Sequence, residues 1–148
     1  MDRIEIDTGM AGFHLLSSVT WVDDRSIRGR AAFADQPSFV VMEALAQLGA
    51  LHVRRCLDFS KHAFLLKVEG FSLPRQERIS GTLALAGTLV ARSQAAFSYE
   101  LGAEGEKDAL TGRFVFSVTD YDDRFSGPVL RKRYKEVFAC LTSGSGIE

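Results

Sequence analysis

A single carboxylate inside a long apolar segment is the first feature of this chain that could do chemistry. Segment 37–55 is apolar nearly all round, and from 39 to 53 its only polar residues are Glu43, Gln47 and His52. Such a pattern predicts a buried helix. A charged carboxylate there is costly unless it is paired, hydrogen-bonded or beside a cavity. Glu43 is therefore predicted to line a pocket, with satisfaction by solvent or by backbone donors as the alternative.

The start of this helix is predicted to receive a ligand beside that carboxylate. A spacing of four residues places Gln47 on the same helix face as Glu43. The backbone amides of Ser38 and Phe39, at the open end of the helix, would be directed at a substrate carbonyl oxygen. Glu43 would then act on that substrate as a general base or acid.

Two signals mark the beginning of the helix. Asp35 or Ser38 is predicted to cap it with a side chain, and Pro37 suits its first turn. Asp35 is also the one titratable residue in loop 34–37, so its alternative role is a second acid or base beside Glu43. An Asp before a helix is usually a cap, and capping is the predicted role.

The histidines and one cysteine offer further candidates. His52 and Cys56 are four residues apart, a spacing that suits two metal ligands, but no third or fourth ligand is visible and helix packing is predicted instead. No metal site and no cofactor is therefore predicted. His14 and His62 are predicted to be surface or structural residues, with contact between His14 and Glu43 across a dimer as the alternative. Cys56 lacks a recognisable base for a nucleophilic role.

Several arginines flank the apolar segment and a later strand. Arg54 and Arg55 end the helix, and Arg75 and Arg78 precede a strand. Solvation is their predicted state. The alternative is the docking of an acidic carrier protein, which would make binding sensitive to salt.

The elements that must position these residues are mostly strands. Period-2 alternation and turn residues predict strands on both sides of the helix, namely 13–22, 26–33, 63–73, 79–91, 93–101 and 110–119. A second, amphipathic helix is predicted over 127–141. One helix that is apolar on all sides must be covered on several sides, so the chain is predicted to be an α+β protein in which an antiparallel sheet wraps a central helix, the hot-dog arrangement. Its uncovered edge predicts a homodimer or a higher even oligomer.

Composition excludes several classes of protein. The 148 residues are 46% hydrophobic and 25% charged, which fits one soluble domain over 1–148. A net charge of −1 gives no attraction to nucleic acid or anionic lipid. Two distant cysteines, an acidic N-terminus and the lack of a long apolar run predict a cytoplasmic protein without a signal peptide or a membrane span.

The central segment resembles that of a known enzyme family. Its residues PSFVVMEALAQ, from Pro37 to Gln47, are similar to the PGVLxxEAxAQ helix of the 3-hydroxyacyl-acyl carrier protein dehydratases, which are hot-dog dimers. Weaker resemblance extends to segment 13–19 and to VEGFSLP at 68–74. It covers about residues 12–119 and leaves 120–148 as a C-terminal extension.

The resemblance implies roles for particular residues. Glu43 would be the catalytic carboxylate, with Gln47 beside it, in a tunnel that takes an acyl chain from acyl carrier protein or from coenzyme A. The implied substrate-binding residues are Ser38, Phe39, Phe71 and Leu73.

The chain also departs from this family. The dehydratases carry a histidine in an HFPG loop before the helix, whereas this chain reads GRAAFADQP there and has no histidine between His14 and His52. Dehydration needs two positioned groups, one for the proton on C2 and one for the C3 hydroxyl. Three functions therefore stay open: dehydration with Glu43 and a second group, thioester hydrolysis with Glu43, and acyl or carrier-protein binding without turnover.

Overall fold

Six strands and two helices form the described part of the molecule. The computed structural model describes residues 15–72, 77–104, 109–121 and 127–143. Their elements are β1 (Leu16–Val22), β2 (Ser26–Pro37), α1 (Val40–Cys56), β3 (His62–Glu69), β4 (Arg78–Arg92), β5 (Ala96–Glu104), β6 (Ala109–Thr119) and α2 (Gly127–Thr142). Neither helix in these ranges combines the length and the apolar run that crossing a membrane requires.

The strands form one antiparallel sheet in the order β1-β2-β4-β5-β6-β3. Period-2 alternation turns one side of β2, β4, β5 and β6 toward the core. On β5 and β6 the inward residues are Phe97, Tyr99, Leu101, Phe114, Phe116 and Val118. β1 and β3 are the edges of the sheet.

Helix α1 lies against the inner face of the sheet and contacts all six strands. Ten of its 17 residues are buried, which confirms the central buried helix. The helix lies close to the sheet at Gly49, where an added Cβ atom would lie 2.6 Å from Cζ of Phe116 and 2.9 Å from Cδ1 of Leu101. The absent side chain at Gly49 therefore sets how closely helix and sheet pack.

The predicted beginning of α1 was wrong. Pro37 is the last residue of β2, where it pairs with Arg78 of β4, and is not part of the first helical turn. The N-cap is Phe39, and neither Asp35 nor Ser38 forms a side-chain cap. β2 runs four residues beyond the predicted strand because its pairing with β4 resumes after a register shift between residues 33 and 36.

Helix α2 packs on β1 through the predicted amphipathic face, with Val137 and Leu141 buried. Two further contacts tie it to the end of α1. The Arg54 guanidinium carbon lies 4.1 Å from the centre of the Tyr134 ring, and Arg131 Nη2 lies 2.6 Å from Asp58 Oδ2. The second helix therefore covers the end of the central helix opposite Glu43.

Candidate active site at the start of the central helix

Glu43 lies in the first turn of α1 and is half-buried. Its carboxylate forms no hydrogen bond or ion pair within the described residues. The Glu43 carboxylate therefore accepts no hydrogen bond from a neighbouring backbone amide in that part of the chain, which was one of the alternative predictions. A half-buried carboxylate without a partner is available to a ligand or to water.

Gln47 lies one turn below Glu43 and is held at one end. Its Oε1 accepts a hydrogen bond of 3.2 Å from the backbone amide of Leu15. Its Nε2 is buried and has no hydrogen-bond partner in the described structure. A buried donor without an acceptor is unusual, and this one lies on the helix face that carries Glu43.

The two backbone amides predicted to hold a substrate oxygen differ in their availability. The Ser38 amide donates to the carbonyl oxygen of Glu77 across 2.9 Å, so it is already used. The Phe39 amide forms no hydrogen bond within the described residues, and the Phe39 side chain is 51% exposed. At the free end of α1 the Phe39 amide is therefore available as a donor near Glu43, and the Ser38 amide is not.

Asp35 forms an ion pair and a hydrogen bond to β4 and is not available for a catalytic role. It has φ 48° at the irregularity in β2, and its Oδ1 lies 2.7 Å from Nε of Arg78. Its amide donates to Ser80 Oγ across 2.9 Å. These bonds tie Asp35 to β4, so its carboxylate is not a free partner for Glu43.

Three predicted site residues remain. Phe71 is half-buried and meets Phe114 edge-on, with ring centres 5.9 Å apart. His14 and Leu73 lie outside the described residues. Of the residues predicted for the site, the structure thus brings Glu43, Gln47 and Phe39 to one end of α1.

The fully buried polar group of α1 is His52, farther along the helix. Its Nε2 lies 2.7 Å from the backbone oxygen of Asp23, and its Nδ1 lies 2.6 Å from the Tyr99 hydroxyl. A carbonyl oxygen only accepts, so Nε2 carries the proton and Nδ1 accepts from Tyr99. Both nitrogens are used, which supports the predicted packing role over metal ligation. Burial lowers the pKa of His52, so its neutral form is favoured.

Cys56 lies at the edge of this network. Its Sγ is 3.5 Å from Nδ1 of His52, but that nitrogen already accepts the shorter bond from Tyr99. Burial raises the pKa of the Cys56 thiol, which opposes formation of the nucleophilic thiolate. The four-residue spacing indicated that Cys56 lies near His52, but nothing in the sequence indicated the bond from Tyr99, which is 47 positions from His52.

One prediction of exposure was wrong, and one open prediction is resolved. Arg54 is not solvated, because its guanidinium stacks on Tyr134 and its Nη2 donates to the Ala63 carbonyl oxygen across 3.3 Å. Of the two roles predicted for His62, surface or structural, its position fits the structural one. It is the first residue of β3, 6% exposed, with its ring centre 4.4 Å from that of Tyr121.

Comparisons with known proteins identify the fold of this chain but not its reaction. No family model matches the chain, and no curated protein matches it. Among solved structures, the dehydratase heterocomplex ApeI:P from Xenorhabdus doucetiae matches with a TM-score of 0.62 at 15% identity, over 78% of this chain and 88% of that one. A mutant of the thioesterase PA1618 from Pseudomonas aeruginosa matches at 0.57 and 15%, over 70% and 81%.

A third structure, a hypothetical thioesterase with coenzyme A from Streptococcus pneumoniae, matches at a TM-score of 0.54 and 10% identity, over 72% of this chain and 88% of that one. Together with the sheet wrapped around α1, these likenesses show that the chain has the hot-dog fold predicted from its sequence. Identities this low show a shared fold, and the reaction has to be argued from the site.

Proposed function

We propose that this protein binds acyl thioesters at the start of α1 and that Glu43 is the carboxylate that acts on them. The observation that carries this proposal is Glu43 itself, half-buried in the first helical turn and without a partner among the described residues. The unbonded Phe39 amide at the same helix end supplies a donor for the thioester carbonyl oxygen.

Hydrolysis is the reaction that a single carboxylate can carry out. Glu43 takes a proton from water, and the resulting hydroxide attacks the thioester carbonyl carbon. The oxyanion of the tetrahedral intermediate is held by the Phe39 amide and the positive end of the helix dipole. When the intermediate collapses, the carbon–sulfur bond breaks and Glu43 returns its proton to the leaving thiolate.

Dehydration is the second candidate, and the structural likeness to a dehydratase heterocomplex favours it. This reaction removes a proton from C2 and protonates the departing C3 hydroxyl, so it needs a second acid or base. Asp35 is bound to Arg78 and His52 is fully buried. A second hot-dog subunit with a loop histidine would complete the site beside Glu43.

Strand β3 supports assembly with a second subunit. It is an edge strand that pairs only with β6 in the described chain. Its residues Phe64, Leu65 and Leu66 are 50%, 41% and 64% exposed. An unprotected apolar edge is a template for pairing with another strand, and we assign it to a homodimer or to a dimer with a related hot-dog chain.

The remaining parts of the proposal concern substrate and compartment. The acyl group would be carried by coenzyme A or by acyl carrier protein, and no cofactor is needed for either reaction. The composition favours a cytoplasmic protein.

Product analysis separates the two reactions. The purified protein is incubated with acyl-coenzyme A and 3-hydroxyacyl-coenzyme A of several chain lengths, and both thiol release and enoyl absorbance are followed. Thiol release without enoyl product supports hydrolysis. Enoyl product that forms only after a histidine-bearing hot-dog subunit is added supports dehydration. Absence of both turnover and thioester binding under all these conditions would refute the proposal.

A further inference from the structure

A second candidate binding site lies at the opposite end of α1 from Glu43. A cleft of about 520 Å³ opens between the turn after α1, the end of β6 and the start of α2. We call it the basic cleft, and it is lined by Ser60, Tyr121, Pro128, Arg131, Lys132 and Lys135. Because α1 has 17 residues, the cleft lies roughly 25 Å from the start of the helix.

The cleft carries an excess of positive charge. Arg131 and Lys135 share Asp58, with Arg131 Nη2 2.6 Å from Oδ2 and Lys135 Nζ 3.8 Å from Oδ1. Lys132 forms no ion pair within the described residues. Two of the three cations that line the cleft therefore share one carboxylate, which leaves two positive charges without a described counterion.

One wall of the cleft is a fixed aromatic ring. The Tyr121 hydroxyl donates to the backbone oxygen of Phe59 across 2.9 Å, and the ring meets His62 edge-on at 4.4 Å. Gly127 packs against the ring so closely that a Cβ atom there would lie 3.2 Å from Cδ2 of Tyr121. The ring is thus held in place beside the first turn of α2.

The first turn of α2 adds to the positive potential. It contains no acidic residue, so nothing in that turn offsets the positive end of the helix dipole. The dipole acts together with the three cationic side chains, and neither alone would define a site. A cleft with cations on one side and a flat ring on the other suits an anion that is joined to a flat ring.

We propose that the basic cleft binds a phosphate monoester dianion attached to a ring, as in a nucleoside monophosphate. A phosphate monoester carries a charge of about −2 above its second pKa near 6, which matches the two positive charges that have no counterion among the described residues. The base would lie against Tyr121. The same chemistry occurs in a free nucleotide and in the nucleotide end of coenzyme A. This site does not depend on the function proposed for Glu43.

Calorimetric titration of the full chain tests this site without any thioester. Adenosine monophosphate is expected to bind at least about ten-fold more tightly than adenosine, because the phosphate makes charge-assisted hydrogen bonds. Binding is expected to weaken with added salt and between pH 7.5 and 5.5. If coenzyme A binds more tightly than adenosine monophosphate, the result supports the site and identifies coenzyme A as the molecule that carries the phosphate monoester. Equal binding supports a free nucleotide.

Variants connect the binding to the cleft. Lys132→Ala, at an exposed position without a described partner, is expected to weaken nucleotide binding by about ten-fold and to leave folding unchanged. Arg113→Ala is the matched control, since Arg113 is 47% exposed and pairs with Glu100 on the sheet. No binding at millimolar monophosphate, equal affinity for adenosine, or an unaffected Lys132→Ala variant would overturn the proposal.

Discussion

The hydroxyl of Tyr99 donates a hydrogen bond to Nδ1 of His52 across 2.6 Å and joins β5 to the central helix. The other ring nitrogen of His52 bonds to the Asp23 carbonyl oxygen, at the turn before β2. Three segments of the chain therefore meet at one neutral imidazole. Protonation of His52 would place a second proton on Nδ1, where it would face the Tyr99 hydroxyl without an anion to receive it.

This arrangement predicts that the free energy of unfolding falls in mild acid. The pKa of His52 is lowered from 6.5 by burial, so below that pH the unfolded chain binds more protons than the folded one. The contribution of neutral His52 to the free energy of unfolding is fully present well above pH 6.5. It is lost as the pH falls toward the folded pKa, with a limiting slope of about 1.4 kcal/mol per pH unit. Urea unfolding between pH 8 and 5 measures this slope.

The control for this experiment is His52→Gln, whose stability should be lower and should change less steeply with pH over the same range. Asp23 does not interfere, because backbone hydrogen bonds from Arg25 and Ser26 lower its pKa from 3.8 to about 2. Its contribution is therefore lost only in stronger acid. Equal slopes for the native chain and His52→Gln would show that His52 is not the titrating group.

Removal of the Tyr99 hydroxyl should be costly at any pH. Tyr99→Phe leaves Nδ1 of His52 without its donor in a fully buried position, so a loss of about 1–3 kcal/mol is expected. The matched control is Tyr121→Phe, which removes a 2.9 Å bond to the Phe59 carbonyl oxygen at a half-buried site. Urea unfolding at pH 7.5 compares the two, and a Tyr99 variant no less stable than the Tyr121 variant would contradict the buried role.

Gly49→Ala should destabilise the protein, although alanine is usually favoured over glycine within a helix. The added Cβ would lie 2.6 Å from Cζ of Phe116, and relief of that overlap is expected to cost about 1–3 kcal/mol. Thermal unfolding measures the loss. The double variant Gly49→Ala, Phe116→Leu should lose less than the sum of its single changes. If the stability losses of the two single variants add up in the double variant, the contact between Gly49 and Phe116 does not limit packing.

The β3 edge predicts the oligomeric state. Leu66, 64% exposed on this strand, would be buried in the proposed dimer, so Leu66→Asp should shift the protein from dimer to monomer in light scattering after size exclusion. Val129→Asp is the matched control, because Val129 is 63% exposed on α2 and should leave the dimer intact. A native chain that is monomeric at micromolar concentration would refute self-association through β3.

The parts of the fold that follow local patterns could be predicted from the sequence. Apolar residues on all sides of α1 predicted its burial, and period-2 alternation predicted the strands that carry the buried residues Phe97 and Phe114. Pro37 was misplaced because its conformation depends on pairing with Arg78, 41 positions away. Long-range pairing of this kind leaves no local signal.

In the candidate site, too, features with a local signal could be predicted and features that depend on distant contacts could not. Glu43 could be identified because a carboxylate in an apolar helix is anomalous in the sequence alone. The bond between His52 and Tyr99 could not, since the residues are 47 positions apart and each also fits a core position without a polar partner. The loss of the Ser38 amide to Glu77 likewise depends on a contact between distant segments.

Substitution of Glu43 tests the central claim most directly. Glu43→Gln keeps the size and polarity of the side chain but removes its ability to accept a proton, and a loss of at least about 10²-fold in kcat is expected. Arg113→Ala is the control variant, because Arg113 lies on the sheet with its side chain 47% exposed, and it should retain both turnover and the fold. Thioester turnover and thioester binding are measured together. Near-complete loss of turnover with binding retained is the predicted result, and unchanged turnover in Glu43→Gln would contradict the assignment.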